Sequence, residues 1–169
     1  SDFLVGKSRR QVVHHLLLLV SQLNAIEQTT DRITDDTVNL VIFGQDIALN
    51  ANERASQQWH AVHKELTNAL NALQGQSLIA SGDVTQLSND LAELPDLLAV
   101  LKAAALASER PVNRAQVAML SEQLVSQSRQ LGESARVMAA KVAATRHRLE
   151  EREQWYSMVF PTAPLWDMI

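Results

Sequence analysis

The sequence predicts an all-α fold, an antiparallel up-down-up-down four-helix bundle with long first and last helices and two shorter middle ones. Three observations carry that prediction. Alanine and leucine dominate a chain with 5 glycines, 4 prolines and 4% aromatic residues, which suits helices and withholds the residues that sheets use. Apolar side chains recur on a 3.5-residue period through four segments. Short turn signals join those segments, and short turns make consecutive helices antiparallel neighbours. At 169 residues, the chain reads as one helical domain, 1–169, with a core of its own.

The first helix is expected over about residues 7–49. Val12, Leu16, Leu19, Leu23, Ile26, Thr30, Ile33, Thr37, Leu40, Gly44 and Ile47 alternate steps of four and three, the spacing of a coiled-coil seam. Such a helix is roughly 60 Å long at about 1.5 Å per residue. Asn50-Ala51-Asn52 reads as a turn, because asparagine tolerates left-handed backbone and its side chain caps helix starts. The second helix, about residues 53–74, carries Ala55, Trp59, Val62, Leu66, Ala69 and Leu73 and stops at Gly75.

Residues 74–82 form the one substantial loop, and Asp83 is placed to cap the third helix, about residues 84–108. That helix presents Val84, Leu87, Leu91, Leu94, Leu98, Leu101 and Ala105. Pro95 removes a backbone donor inside it, which predicts either a kink near residues 91–94 or two shorter helices. The string Ser108-Glu109-Arg110-Pro111 closes the segment. The fourth helix, about residues 112–154, carries Val117, Leu120, Leu124, Ser128, Leu131, Ala135, Met138, Val142, Thr145 and Leu149. The tail, residues 155–169, is aromatic and contains two prolines. It is expected to fold back and bury Trp155, Phe160 and Trp166; an approach to a membrane or to a following domain is the alternative.

Helices two and three are about half as long as helices one and four, so they cover half of the seam. The expected consequence is a head of four helices on a two-helix stalk. A parallel homodimer is the natural cover for the apolar flanks of such a stalk.

Net charge is −4 with both signs interspersed, so no basic face neutralises phosphates and nucleic acid is not expected as a partner. The absence of cysteine excludes disulfides, thiol catalysis and cysteine-ligated metals. The longest apolar run, residues 16–20, is far short of the ~20 residues of a membrane span. Beginning at Ser1 with no initiator methionine, the chain is expected to be a piece of a longer protein.

Neither a phosphate loop, a nucleophile elbow nor a histidine with an orienting acid occurs, so no catalytic residue and no cofactor is expected. His60 and His63 share a helical face at the i, i+3 spacing of zinc ligands. However, His14 and His15 fall at the other end of the first long helix, so no metal site is predicted and the histidines are expected to face solvent. Asp31, Asp35 and Asp36 are expected on the exposed face opposite Ile33 and Thr37. Trp59 falls at a core position, with its indole N–H satisfied nearby. The alternative reading makes Trp59 and Arg54 together a ligand or partner site, and Arg32, Arg129 and Arg136 add planar cationic forks for a small anionic ligand where Thr, Gly and Ser replace large apolar residues. Thr30, Thr37, Gly44, Ser128 and Thr145 soften the seam and are the expected points of movement.

Glu53, Arg54, Ala55, Gln58 and Trp59 open the second helix just after an apolar helix end and a short turn. With this motif, and more weakly with residues 120–142, the chain resembles the TorS-like, all-helical periplasmic sensor domains of bacterial hybrid sensor histidine kinases and diguanylate cyclases. The resemblance covers about a quarter of the chain. It implies the extracytoplasmic signal-sensing domain of a dimeric inner-membrane receptor, itself non-catalytic and membrane-anchored through segments outside this domain. Signals would pass through helices one and four by a piston, scissor or rotation. The input would be a small ligand or a periplasmic binding protein. A chemoreceptor ligand-binding domain and a structural or adaptor bundle are the competing expectations.

Overall fold

The computed structural model describes residues 2–107 and 111–159. Among the described residues there are four helices and no strand: α1 (Asp2–Asn50), α2 (Glu53–Leu73), α3 (Ser81–Leu106) and α4 (Pro111–Val159). The expected linker residues 108–110 and the tail beyond residue 159 lie outside the described residues. So do Phe160 and Trp166, which the tail is expected to bury.

The helix ends follow from local chemistry. Asp46 closes α1 by accepting from Asn50 Nδ2 at 2.6 Å and from Asn52 Nδ2 at 3.2 Å. Asn52 then caps α2, its Oδ1 accepting from the Arg54 backbone N–H at 3.0 Å. The left-handed residue of this turn is not an asparagine as expected: Ala51 adopts φ 47°, while the Asn50 side chain bonds Asp46 and that of Asn52 caps α2. Gly75, at φ 82°, ends α2 where a Cβ would be strained. Asp83 does not cap α3. The helix begins two residues earlier at Ser81, its N-cap is Ala80 with no side-chain bond, and Asp83 lies within the first turn, where a carboxylate favours the helix dipole. Proline stands at the first position of α4, where its missing N–H removes no helical bond.

Two expectations about helix continuity are corrected. Pro95 lies inside an unbroken α3, so the two-helix alternative does not hold. The fourth helix does not stop near residue 154 but continues to Val159, and Trp155 is 55% exposed on it rather than buried under a returning tail.

The chain divides into two compact units, Ser1–Gln28 with Ala140–Ile169, and Thr29–Ala139. In the first, Leu16, Leu23, Ile26 and Val142 are buried, and Arg146 of α4 bonds Glu27 of α1 at 2.5 Å while also holding Glu150 at 3.0 Å. Leu17 and Leu18 remain half exposed there, and a cavity of about 530 Å³ opens beside Val12, Leu16, Leu19 and Leu149. In the second unit, Ile33, Leu40 and Ile47 of α1 are buried with Trp59, Leu66 and Leu70 of α2, the whole apolar row of α3, and Leu120, Leu124, Leu131 and Ala135 of α4. Each fully buried leucine contributes about 1.5–3 kcal/mol, so this unit holds the bulk of the driving force.

Candidate functional site

The site is built on a layer of α1 and α4 in the larger unit where the seam is polar. Thr30 and Ser128 are fully buried, Thr37 is 2% exposed, and Gly44 is buried as well. Thr37 and Gly132 pack so closely that a Cβ at Gly132 would lie 2.8 Å from Thr37 Oγ1. That contact leaves no room for a large side chain on either helix, which is why the heptad leucine is absent here. Thr145, the remaining soft position, is half-buried in the smaller unit and donates to its own helix at Lys141 O, 3.0 Å away.

Above this contact lies an open groove of about 330 Å³. Its α1 wall is Thr34, Thr37, Val38 and Val41, and its α4 wall is Ser128, Arg129, Gly132, Glu133 and Arg136. The two threonine hydroxyls are already committed as donors, Thr34 Oγ1 to Thr30 O at 3.1 Å and Thr37 Oγ1 to Thr34 O at 2.6 Å. Each therefore presents only lone pairs to a visitor. Ser128 Oγ, at the floor, has no hydrogen-bond partner among the described residues. Arg136 pairs with Glu133 on its own helix at 3.1 Å. Arg129 is exposed and makes no ion pair among the described residues.

The predicted site residues thus separate. Arg129, Arg136, Thr37 and Ser128 come together in the groove. Arg54 and Arg32 are exposed and do not line it; Arg54 sits beside Glu53, which Lys102 of α3 bonds at 2.9 Å. Trp59 is fully buried near Gly44, where an added Cβ would lie 3.1 Å from Leu124 Cδ2 and 3.9 Å from Trp59 Nε1. Its indole N–H has no partner among the described residues, contrary to the expectation that one lies nearby. Thr34, Val38, Val41, Gly132 and Glu133 are missed by sequence reasoning. Gly132 is the available signal, since a glycine inside a long helix marks a close approach.

Two further expectations are overturned. Asp36 is not on the exposed face with Asp31 and Asp35: it is 7% exposed, and its Oδ2 has no partner among the described residues. Burial pushes its pKa above the ordinary carboxylate range, and Glu65 of α2 and Asp35 push the same way against the opposing pull of Arg32 and a bond from Asn39. His63 is half-buried rather than solvent-facing. Its ring stacks on Trp59, centroids 5.3 Å apart, and its Nε2 donates to Leu91 O at 2.8 Å. Leu91 is the residue whose carbonyl loses its helical donor to Pro95. Among the described residues no three His, Asp or Glu side chains are grouped to hold a metal ion, and no helix is long and apolar enough to cross a membrane.

Comparison with models of known protein families, with curated proteins and with solved structures finds no match.

Proposed function

We propose that this chain is the extracytoplasmic signal-sensing domain of a membrane-bound sensor histidine kinase or a related receptor, relaying ligand or partner binding through α1 and α4. The observation that carries the reading is the buried polar layer between those two helices, with Thr30, Thr37 and Ser128 at 0–2% exposure where a static bundle would place leucine. A tight seam with polar, small-residue steps has discrete alternative packings, and a ligand at the adjoining groove biases the choice between them.

The finer arrangement belongs to the same proposal. Up-down-up-down order is supported by pairings that run in opposite senses: Thr37 with Gly132 and Gly44 with Leu124 between α1 and α4, and Ser56 with Lys102 and His63 with Leu91 between α2 and α3. The smaller unit contains only α1 and α4 segments, the composition of a membrane-facing stalk. Its half-exposed Leu17 and Leu18 favour a homodimer. Those same leucines also support the second reading, an adaptor bundle that takes foreign helices on this face.

The gene decides between them. Apolar spans of about 20 residues just outside Ser1 and beyond Ile169 are expected. The domain that follows the second span separates kinase, cyclase and chemoreceptor. A reading frame with no such span on either side overturns the receptor and leaves the adaptor.

A further inference from the structure

We propose that the groove between α1 and α4 binds a small hydroxycarboxylate, a two- to four-carbon acid with a hydroxyl next to its carboxylate. The proposal rests on the sensory reading only for its biological purpose; the binding itself is a property of the chain.

Charge selects a monoanion. The groove holds two arginines and one glutamate, and Glu133 is satisfied by Arg136 at 3.1 Å. Arg129 is left as the net positive group, exposed and with no ion pair among the described residues. Its planar fork matches a carboxylate in a bidentate pair.

Hydrogen-bond inventory selects the hydroxyl. Thr34 Oγ1 and Thr37 Oγ1 have committed their protons to the backbone oxygens of Thr30 and Thr34, so they accept and do not donate. A bare carboxylate has nothing to give them. A hydroxyl beside the carboxylate has one proton to give and two lone pairs to take. Ser128 Oγ, fully buried beneath the groove with no partner among the described residues, is the group that fills one of those lone pairs. A buried hydroxyl without a bond is costly, and a ligand oxygen relieves that cost.

Size and shape select a short chain. The groove's volume of about 330 Å³ is at the lower end of ligand sites, and Val38 and Val41 supply its apolar wall. Reaching Ser128 Oγ requires the Thr37–Gly132 contact to part slightly, because Ser128 has no exposed surface. Binding therefore displaces α1 from α4 at this layer.

Titration of the intact chain with lactate, followed by amide chemical shifts and calorimetry, tests the proposal. Saturable binding is expected, with shifts centred on Thr37, Ser128, Arg129 and Gly132. Propionate, which has the charge without the hydroxyl, should bind about tenfold more weakly, the upper scale of one neutral hydrogen bond, and lactamide, which has the hydroxyl without the charge, should bind at least about tenfold more weakly, the scale of one hydrogen bond to a charged group. Arg129→Gln is a surface change that leaves the fold intact, and it should lower lactate affinity by a further factor of about 10 to 100. Thr37→Val, of equal volume, should remove the preference for lactate over propionate. No saturable shift in the wild-type chain with lactate, glycolate or glycerate overturns the proposal. Equal binding of lactate, propionate and sulfate overturns it too, since that is the behaviour of a general anion site. Lactate binding in a chain whose gene lacks flanking spans would keep the site and sink the receptor.

Discussion

Replacing His63 in two backgrounds measures how α3 carries a proline at its centre. Pro95 has no N–H, so Leu91 O loses the donor an α-helix would supply, and Leu91 is only 2% exposed. His63 of α2 supplies the bond instead, Nε2 to O at 2.8 Å, and the stacked Trp59 ring fixes the imidazole plane. The donor role puts the proton on Nε2. His63→Ala therefore leaves a buried carbonyl unpaired, at about 1–3 kcal/mol, and removes a ring stack worth about 0.5–1.5 kcal/mol. In a Pro95→Ala background, the backbone N–H restored at position 95 bonds Leu91 O, and the same His63→Ala change should cost only the stacking term. The coupling energy is the orphan-carbonyl term, about 1–3 kcal/mol. Urea unfolding of the four proteins measures it, followed by Trp59 fluorescence with Trp155 and Trp166 changed to Phe so that one of the 3 tryptophans reports. His63→Phe separates the terms, because it keeps the ring and loses the donor. Equal costs in the two backgrounds, within about 0.5 kcal/mol, would refute the idea that His63 serves the carbonyl that Pro95 frees.

Gly132→Ala should destabilise by about 1–3 kcal/mol despite alanine's better helix propensity, because the new Cβ meets Thr37 Oγ1 at 2.8 Å; a rise in Tm would mean that the two helices are not in contact there. Ala51→Gly should stabilise by about 1 kcal/mol by relieving the left-handed backbone at φ 47°, and an unchanged urea midpoint would argue against that strain. Asp36→Asn should be more stable than wild type at pH 7. A raised folded-state pKa means that the native chain holds a proton the unfolded chain has released. This carboxyl's contribution is thus full below the unfolded range and lost as pH rises through the folded value. The advantage of Asn should accordingly shrink on acidification, and a pH-independent difference would show that Asp36, facing Glu65 of α2 and Arg32, Asp35 and Asn39 of α1, is not titrating abnormally.

Heptad spacing made the four helices legible because each apolar row has one job. The α3 row, Val84 to Ala105, is buried at every predicted position, and Leu16, Leu23, Ile33, Leu40 and Ile47 of α1 are buried as well. In the smaller unit, where two helices pair, Val12, Leu19 and Leu149 reach only partial burial. The same spacing misplaced Asp36. It lies next to Thr37 beside the seam, and whether such a flank position is wet depends on which helix covers it, which periodicity along one helix does not encode. His63 failed for a related reason: its partner is a backbone atom 28 residues away, and its need arises from a proline on another helix. Of the groove, Arg129 and Arg136 were legible as cationic forks near the seam positions where small polar residues replace leucine. Thr34, Val38, Val41 and Glu133 were not, because each is ordinary until α1 and α4 are brought side by side.

The soft seam itself changes meaning once distances are known. Polar and small residues at heptad positions predict loose packing, and on that view leucine at position 37 would simply strengthen the bundle. Yet Thr37 has Gly132 against it with no room for one added carbon, while a Cβ added at Gly44 would meet Leu124 Cδ2 at 3.1 Å, the movable end of a flexible side chain. The layer at Thr37 is therefore weak in chemistry and tight in space, and the layer at Gly44 can yield. Alanine should be tolerated at Gly44 by a small rotation of Leu124, and refused at Gly132, where the Thr37 hydroxyl is held by its own bond to Thr34 O. A seam with one rigid close contact beside one yielding layer does not breathe uniformly. It yields at Gly44 by a side-chain rotation, whereas at Thr37 and Gly132, directly under the groove, it yields only when α1 and α4 themselves part.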